Sequence, residues 1–181
     1  MIMDELPDRR SVAHRAALAG GIRVVETEDA EPLVGELFRR RFKTDTFPPS
    51  PIHFVEVFER PDGDSIPIGY IHATMWEGGA LGGGMVIDEF RYRILPPTLR
   101  QQVREAGGLT EILLREFITL LPPGTPAVWG CVGDRRAERV DLRVGFEHTG
   151  VPHLIVYWLR TDMPLEEKAE WIRRAAALGP F

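Results

Sequence analysis

Apolar residues recur along the chain in two rhythms, and the switches between them mark the elements. Asp8 to Ala19 has helical composition, and Gly20-Gly21 ends it with residues that tolerate the left-handed helix C-cap. Ile22 to Val25 is a short β-branched run, the first predicted strand. From Thr27 or Glu28 through Phe42, residues Leu33, Val34, Leu37, Phe38 and Phe42 fall at helical spacing, and Pro48, Pro49 and Pro51 follow as breakers. Ile52 to Glu59 and Ile66 to Trp76 are rich in β-branched and aromatic residues and flank the turn sequence Pro61-Asp62-Gly63-Asp64, which predicts a hairpin. Gly78, Gly79, Gly82, Gly83 and Gly84 read as a tight turn or flexible connection. Met85-Val86-Ile87 then reads as a third, short strand.

Arg91 to Gln102 contains Pro96-Pro97 and reads as a loop or as a short helix starting after the prolines. Leu109 to Leu121 carries the widest apolar face of the chain, with Leu109, Ile112, Leu113, Phe117 and Leu120, and Pro122-Pro123-Gly124 stops it. Ala127 to Val132 predicts a strand and Asp134 to Val144 a helix. Gly145-Phe146-Glu147 begins an extended stretch, and His153 to Leu159 is apolar enough for a strand inside a sheet. Pro164 to Leu178 predicts a C-terminal helix, with Leu165, Ala169, Ile172 and Ala176 on one face. Such alternation argues an α/β (α+β) chain, with a mixed, mostly antiparallel central sheet and helices on both faces. The 181 residues suit one domain, with the first and last helices as appendages. Docking on its own sheet is the expected role of the last helix.

Composition narrows the function classes. A net charge of −5 without a uniform basic face argues against nucleic acid as a partner, since phosphates are bound by clustered Lys and Arg. Arginine does collect at Arg91, Arg93, Arg100 and Arg104, and at Arg135, Arg136 and Arg139, which suits a polyanionic small ligand or a solvated face. Cys131 is the single cysteine, so an internal disulfide or multi-thiolate zinc site is excluded, and it reads as a buried apolar thiol. No apolar run reaches membrane-helix length and no signal-peptide core opens the chain, so a cytoplasmic protein with no membrane partner is expected.

Two segments carry candidate chemistry. Gly107-Gly108 immediately precedes the long helix, whose first amides lack intrahelical partners and whose dipole adds positive character. An anion fits there, with Arg104 adding charge-assisted bonds, or the two glycines merely turn the chain. No Gly-Lys-Ser/Thr follows, so this is not a nucleotide P-loop. The second segment runs Val132-Gly133-Asp134-Arg135-Arg136-Ala137, then Gly145-Phe146-Glu147-His148-Thr149-Gly150.

Together these segments resemble the GNAT family of N-acetyltransferases, which have the acyl-CoA N-acyltransferase fold. Asp134 and Ala137 stand where the family often has Asn and Ala. Gly145-Phe146 with Gly150 match its Gly-Phe-x-x-x-Gly ending, and Arg104-x-x-Gly107-x-Leu109 is similar to its pyrophosphate loop. The resemblance implies acetyl-CoA or another short acyl-CoA as co-substrate and an amine, on a small molecule or peptide, as acceptor. It places pyrophosphate on the backbone of Arg104, Gly107, Gly108, Leu109 and Thr110, and the pantetheine arm along Met85, Val86 and Ile87 near Asp134. Backbone N–H groups near Val86 or Ile87 would then stabilise the oxyanion. Asp88, Glu89 and His72 are the candidate bases, and Asp88-Glu89 would favour a cationic amine. Asp141 occupies the position of the family's tyrosine acid, leaving the general acid unassigned, with Cys131, near its strand end, able to donate a proton to the thiolate if it is not simply a buried thiol. The extra residues Glu89 to Val103 would shape an acceptor pocket or obstruct the cleft. A non-catalytic acyl-CoA-binding or structural role, and a homodimer, are the alternatives the sequence leaves open.

Overall fold

A computed structural model describes residues 21–49 and 52–181, so the predicted helix Asp8–Ala19 lies outside it. Seven strands form one sheet among the described residues: β1 (Ile22–Thr27), β2 (Ile52–Glu59), β3 (Ser65–Trp76), β4 (Gly79–Ile87), β5 (Ala127–Cys131), β6 (Glu147–His148) and β7 (Leu154–Trp158). Their order is β1-β2-β3-β4-β5-β7-β6, and every neighbouring pair is antiparallel except β4 and β5. The helices are α1 (Glu31–Phe42), α2 (Glu89–Arg93), α3 (Pro97–Glu105), α4 (Leu109–Leu120), α5 (Arg135–Val144) and α6 (Leu165–Ala177). This is the mixed α/β chain with a mostly antiparallel sheet that the alternation predicts.

Strand periodicity sorts the core into two layers. On one face, Phe54, Ile71, Ala73, Ala80 and Val128 meet Leu113, Leu114, Phe117 and Ile118 of α4 and Val144 of α5. Ile22, Phe58 and Ile68 continue that layer against Leu95, Leu99, Val103, Leu109 and Ile112. On the other face, Val55, Val57, Tyr70 and Val86 receive Val34 and Phe38 of α1. Trp129, Val156 and Trp158 receive α6 through Trp171, Ile172, Ala175 and Ala176. Packing of α6 against its own sheet follows the expectation.

One reading is corrected and an open one is resolved. Gly79 to Gly84 form no flexible connection; they are the first two-thirds of β4, hydrogen-bonded along β3. Glycine is a poor strand former, so its run hid the strand. It is tolerated here because the neighbours leave no room for side chains: a Cβ on Gly83 would come within 2.8 Å of the His72 ring. The ambiguous stretch after Arg91 resolves into helix. Pro97 sits where a helix start needs no N–H, and Leu99 and Val103, four apart, bury one face of α3.

Candidate functional site

The parallel ladder between β4 and β5 is short. It pairs Ala80, Leu81 and Gly82 with Val128, Trp129 and Gly130, and then stops. At that point β4 is bulged: Gly84 and Met85 together stand opposite Ile71 of β3, with Gly84 at φ +59. A bulge bends its strand and raises local twist, which turns β4 away from β5. Beyond Gly82 the backbone of β4 therefore has no ladder partner on its β5 side.

A cavity of about 280 Å³ opens in this gap. Gly82, Gly83, Gly84 and Met85 form one wall, and Val128 to Asp134 form the opposite one. Leu114, Phe117, Phe146 and Ile155 supply an apolar floor from the α4/α5 layer, while Arg41, Phe42 and Phe181 border it from the α1/α6 layer. The cavity thus draws its lining from both faces of the sheet.

Helix α5 closes its side. Asp134 is the N-cap, with its carboxylate accepting from the Arg136 amide at 2.8 Å. Ala137 and Asp141 follow at helical spacing on the same face, and both line the cavity. Asp141 is buried at 4% exposure, and its pKa rises from 3.8 to about 6, first through loss of hydration and then through the nearby Glu138. A carboxyl of this kind keeps a protonated fraction near neutrality and can act as a donor. Cys131, expected to be buried, is exposed and borders the cavity beside Val132.

The sequence candidates are distributed unevenly around this gap. Met85 and Asp134 line it. Val86 points into the α1 layer and Ile87 packs towards α4. The glycine bend lies elsewhere: Arg104, Gly107, Gly108, Leu109 and Thr110 are all absent from the cavity wall. Leu109 is buried with Ile22, Phe58 and Ile68, because α4 crosses the sheet obliquely and starts over β1 and β3. At Gly107, φ is +93, and a Cβ would overlap the Glu111 carboxylate. Glu111 is itself held by Arg115 at 2.8 Å and Arg143 at 3.2 Å, and its pKa is lowered by those partners, Arg115 foremost. The amide cluster at the start of α4 thus already has an anion beside it. Residues 104–110 lie outside the cavity wall, with a carboxylate beside the bend.

The three candidate bases are separated. Asp88 caps α2, its Oδ1 accepting from the amides of Phe90 at 2.9 Å and Arg91 at 3.0 Å, and Oδ2 faces Arg91 and Arg40. Glu89 is exposed in the first turn of α2. Neither borders the cavity; both border a shallow depression formed with Leu37, Arg40, Arg41, Lys43 and Phe90. The acidic patch that was to attract a cationic amine is therefore faced by arginines. His72 lies behind Gly83 and Gly84, its Nδ1 buried without a hydrogen-bond partner among the described residues. Burial first, and His53 second, lower its pKa to about 4, so it is a neutral imidazole at pH 7. Beside it, His53 Nδ1 and the buried Tyr70 hydroxyl are 2.8 Å apart.

Residues 89–103 do not obstruct the gap: Leu95, Leu99 and Val103 pack over β1 to β3 instead. Arg41, Phe42, Phe181 and the cavity role of Asp141 escaped the sequence reading. Only Asp141 left a signal there, in its i, i+3, i+7 spacing with Asp134 and Ala137.

No protein-family model and no curated protein matches the chain. Two solved structures are similar in arrangement. One is the KacTA–DNA complex, at TM-score 0.39 and 11% identity over 86% of this chain and 98% of that one. Another is a Tyr-to-Phe mutant of KacT, at TM-score 0.39 and 10% identity over 86% and 99%. Likeness at this level carries no statement about activity. The expectation of no nucleic-acid partner is withdrawn, because the KacTA chain, which is that similar protein and not this one, was solved in a complex with DNA. That expectation rested on net charge, a sum over the whole chain, whereas Arg39, Arg40, Arg41 and Lys43 gather at one helix end. No helix among the described residues is long and apolar enough to cross a membrane.

Proposed function

We propose that the chain is an N-acyltransferase that moves an acetyl or other short acyl group from acyl-CoA to an amine. The observation that carries this reading is the gap between β4 and β5: a bulged strand with unladdered backbone, facing a second strand across a narrow, apolar-floored cavity that reaches both layers. Acyl-CoA supplies the activated thioester. The slim thioester end fits between Gly83–Met85 and Cys131–Asp134, where backbone N–H groups of β4 free of the β5 ladder can polarise its carbonyl. Asp141, the one buried carboxyl on the wall, is the group suited to hand a proton to the departing thiolate. The attacking amine enters as its free base, since an ammonium has no lone pair to offer, and the proton its nitrogen sheds as the amide forms passes to solvent or back to the Asp141 carboxylate. Orientation of the two reactants in the gap supplies most of the rate effect.

A second reading has a specific observation behind it. With Glu111 against Gly107 and the glycine bend outside the cavity, the diphosphate lacks the cradle predicted for it. Acyl-CoA binding without turnover would follow if the reacting atoms are never brought into register. Thiol release from acetyl-CoA across an amine panel separates the two. Transfer predicts release that falls about 10²-fold in Asp141→Asn, the usual worth of a general acid, with acetyl-CoA-induced thermal stabilisation retained. Stabilisation without release by any amine would support binding alone, and absence of both would reject the acyl-CoA reading.

A further inference from the structure

Resting on the transfer reading, we infer that the acceptor amine also carries an anionic group, carboxylate or phosphate, and that Arg41, with Lys43 and Arg40, binds it at the α1 end of the cavity. Arg41 is the one residue that borders both the cavity and the neighbouring depression of about 460 Å³, so it stands where they meet. Arg40 and Lys43 complete the basic side of that depression.

The basic run at this helix end has an ordinary explanation, since Arg39, Arg40 and Arg41 all complement the negative end of the α1 dipole. Their side chains divide, however. Arg39 is bound to Glu31 and to the Asp45 carbonyl, and Arg40 lies 3.9 Å from Glu36 and 3.8 Å from Asp88. Arg41 and Lys43 have no ion-pair partner among the described residues. The one cation on the cavity wall, Arg41, and Lys43 in the depression beside it are thus the two left unspent.

Most of the acids nearby are engaged elsewhere. Asp88 is shared between Arg40 and Arg91 and spends Oδ1 on capping α2. Glu89, exposed, remains on the rim of the depression. Within the cavity, Asp134 is engaged with the Arg136 amide, and Asp141 sits on α5, in the opposite layer from α1. A guanidinium presents paired N–H donors to a carboxylate or phosphate, and Phe42 beside it gives an apolar wall for the carbon chain between anion and amine.

The test has a binding arm that does not need turnover. Inorganic pyrophosphate is titrated calorimetrically into the full chain and into Arg41→Ala. Saturable binding weakened about tenfold or more by the substitution is expected. No binding, or binding that Arg41→Ala leaves untouched, overturns the inference. The transfer arm uses matched amines, ethanolamine against O-phosphoethanolamine and propylamine against β-alanine, with thiol release from acetyl-CoA as readout. The anionic member of each pair should show the higher kcat/KM. Arg41→Glu should reverse that order through acceptor KM. Equal use of both members overturns the inference and leaves transfer standing. Pyrophosphate binding lost in Arg41→Ala, with no release from any amine, supports the anion site and tells against transfer.

Discussion

Glu56 is a buried carboxyl without compensation among the described residues. It is completely buried on β2, and both carboxylate oxygens lack a hydrogen-bond partner among the described residues. Loss of hydration raises its pKa well above 4.5. A folded-state pKa above the unfolded one means the native state holds its proton more tightly. Stability is then full below pH 4.5 and declines as pH climbs towards the folded value. Glu56→Met should remove this decline and stabilise the chain by about 1–3 kcal/mol at pH 7, since a buried ionisable group without partners is costly. Urea unfolding at pH 5 and pH 8 checks this. A Glu56→Met chain no more stable than the parent at pH 8 would contradict it. Asp141 behaves similarly over a narrower window, its unfavourable contribution growing between pH 3.8 and about 6. The donor role assigned to it requires thiol release to fall as pH rises through about 6 once the amine's own deprotonation is corrected for.

Among the elements, α4 and β4 show what the sequence could and could not convey. The register of Leu109, Ile112, Leu113 and Phe117 made α4 legible, because a wide apolar stripe has few other uses. Its direction across the sheet was not legible. That depends on α2 and α3, which fill the layer over β1 to β3 and set where α4 begins. The glycine bend is consequently a structural joint. Gly107→Ala would force a Cβ into the Glu111 carboxylate at φ +93, costing about 1–3 kcal/mol. The expected outcome is a lower Tm with the acetyl-CoA-induced shift preserved. Loss of that shift at unchanged Tm would return the bend to the binding site. Strand β4 was hidden for the opposite reason. Its glycines carry no periodic signal, yet the bulge at Gly84 depends on them: a Cβ there would lie 2.6 Å from Phe38 and 2.7 Å from His72. The strand that opens the gap was the one with the least side-chain pattern to read.

Across the whole molecule, the sheet has one parallel pair in an otherwise antiparallel order, and the cavity lies at that pair. Its two ends differ in chemistry: a buried carboxyl and an apolar floor towards α4 and α5, and, towards α1 and α6, aromatic neighbours with an arginine that has no ion-pair partner among the described residues. Net charge conceals this, because the acids are spread over the chain while the basic residues of α1 gather at one end. The alternation of elements was enough to predict the layers, but a gap between two strands is a property of backbone register and leaves almost no imprint on composition. The most direct measurement is the melting temperature of the full chain and of Ala137→Trp, each titrated with acetyl-CoA. Ala137 lines the gap, so an indole there would fill it. The account predicts a saturable rise in Tm for the parent chain that Ala137→Trp, itself cooperatively folded, no longer shows. No rise in the parent chain, or an equal rise in both, would contradict it.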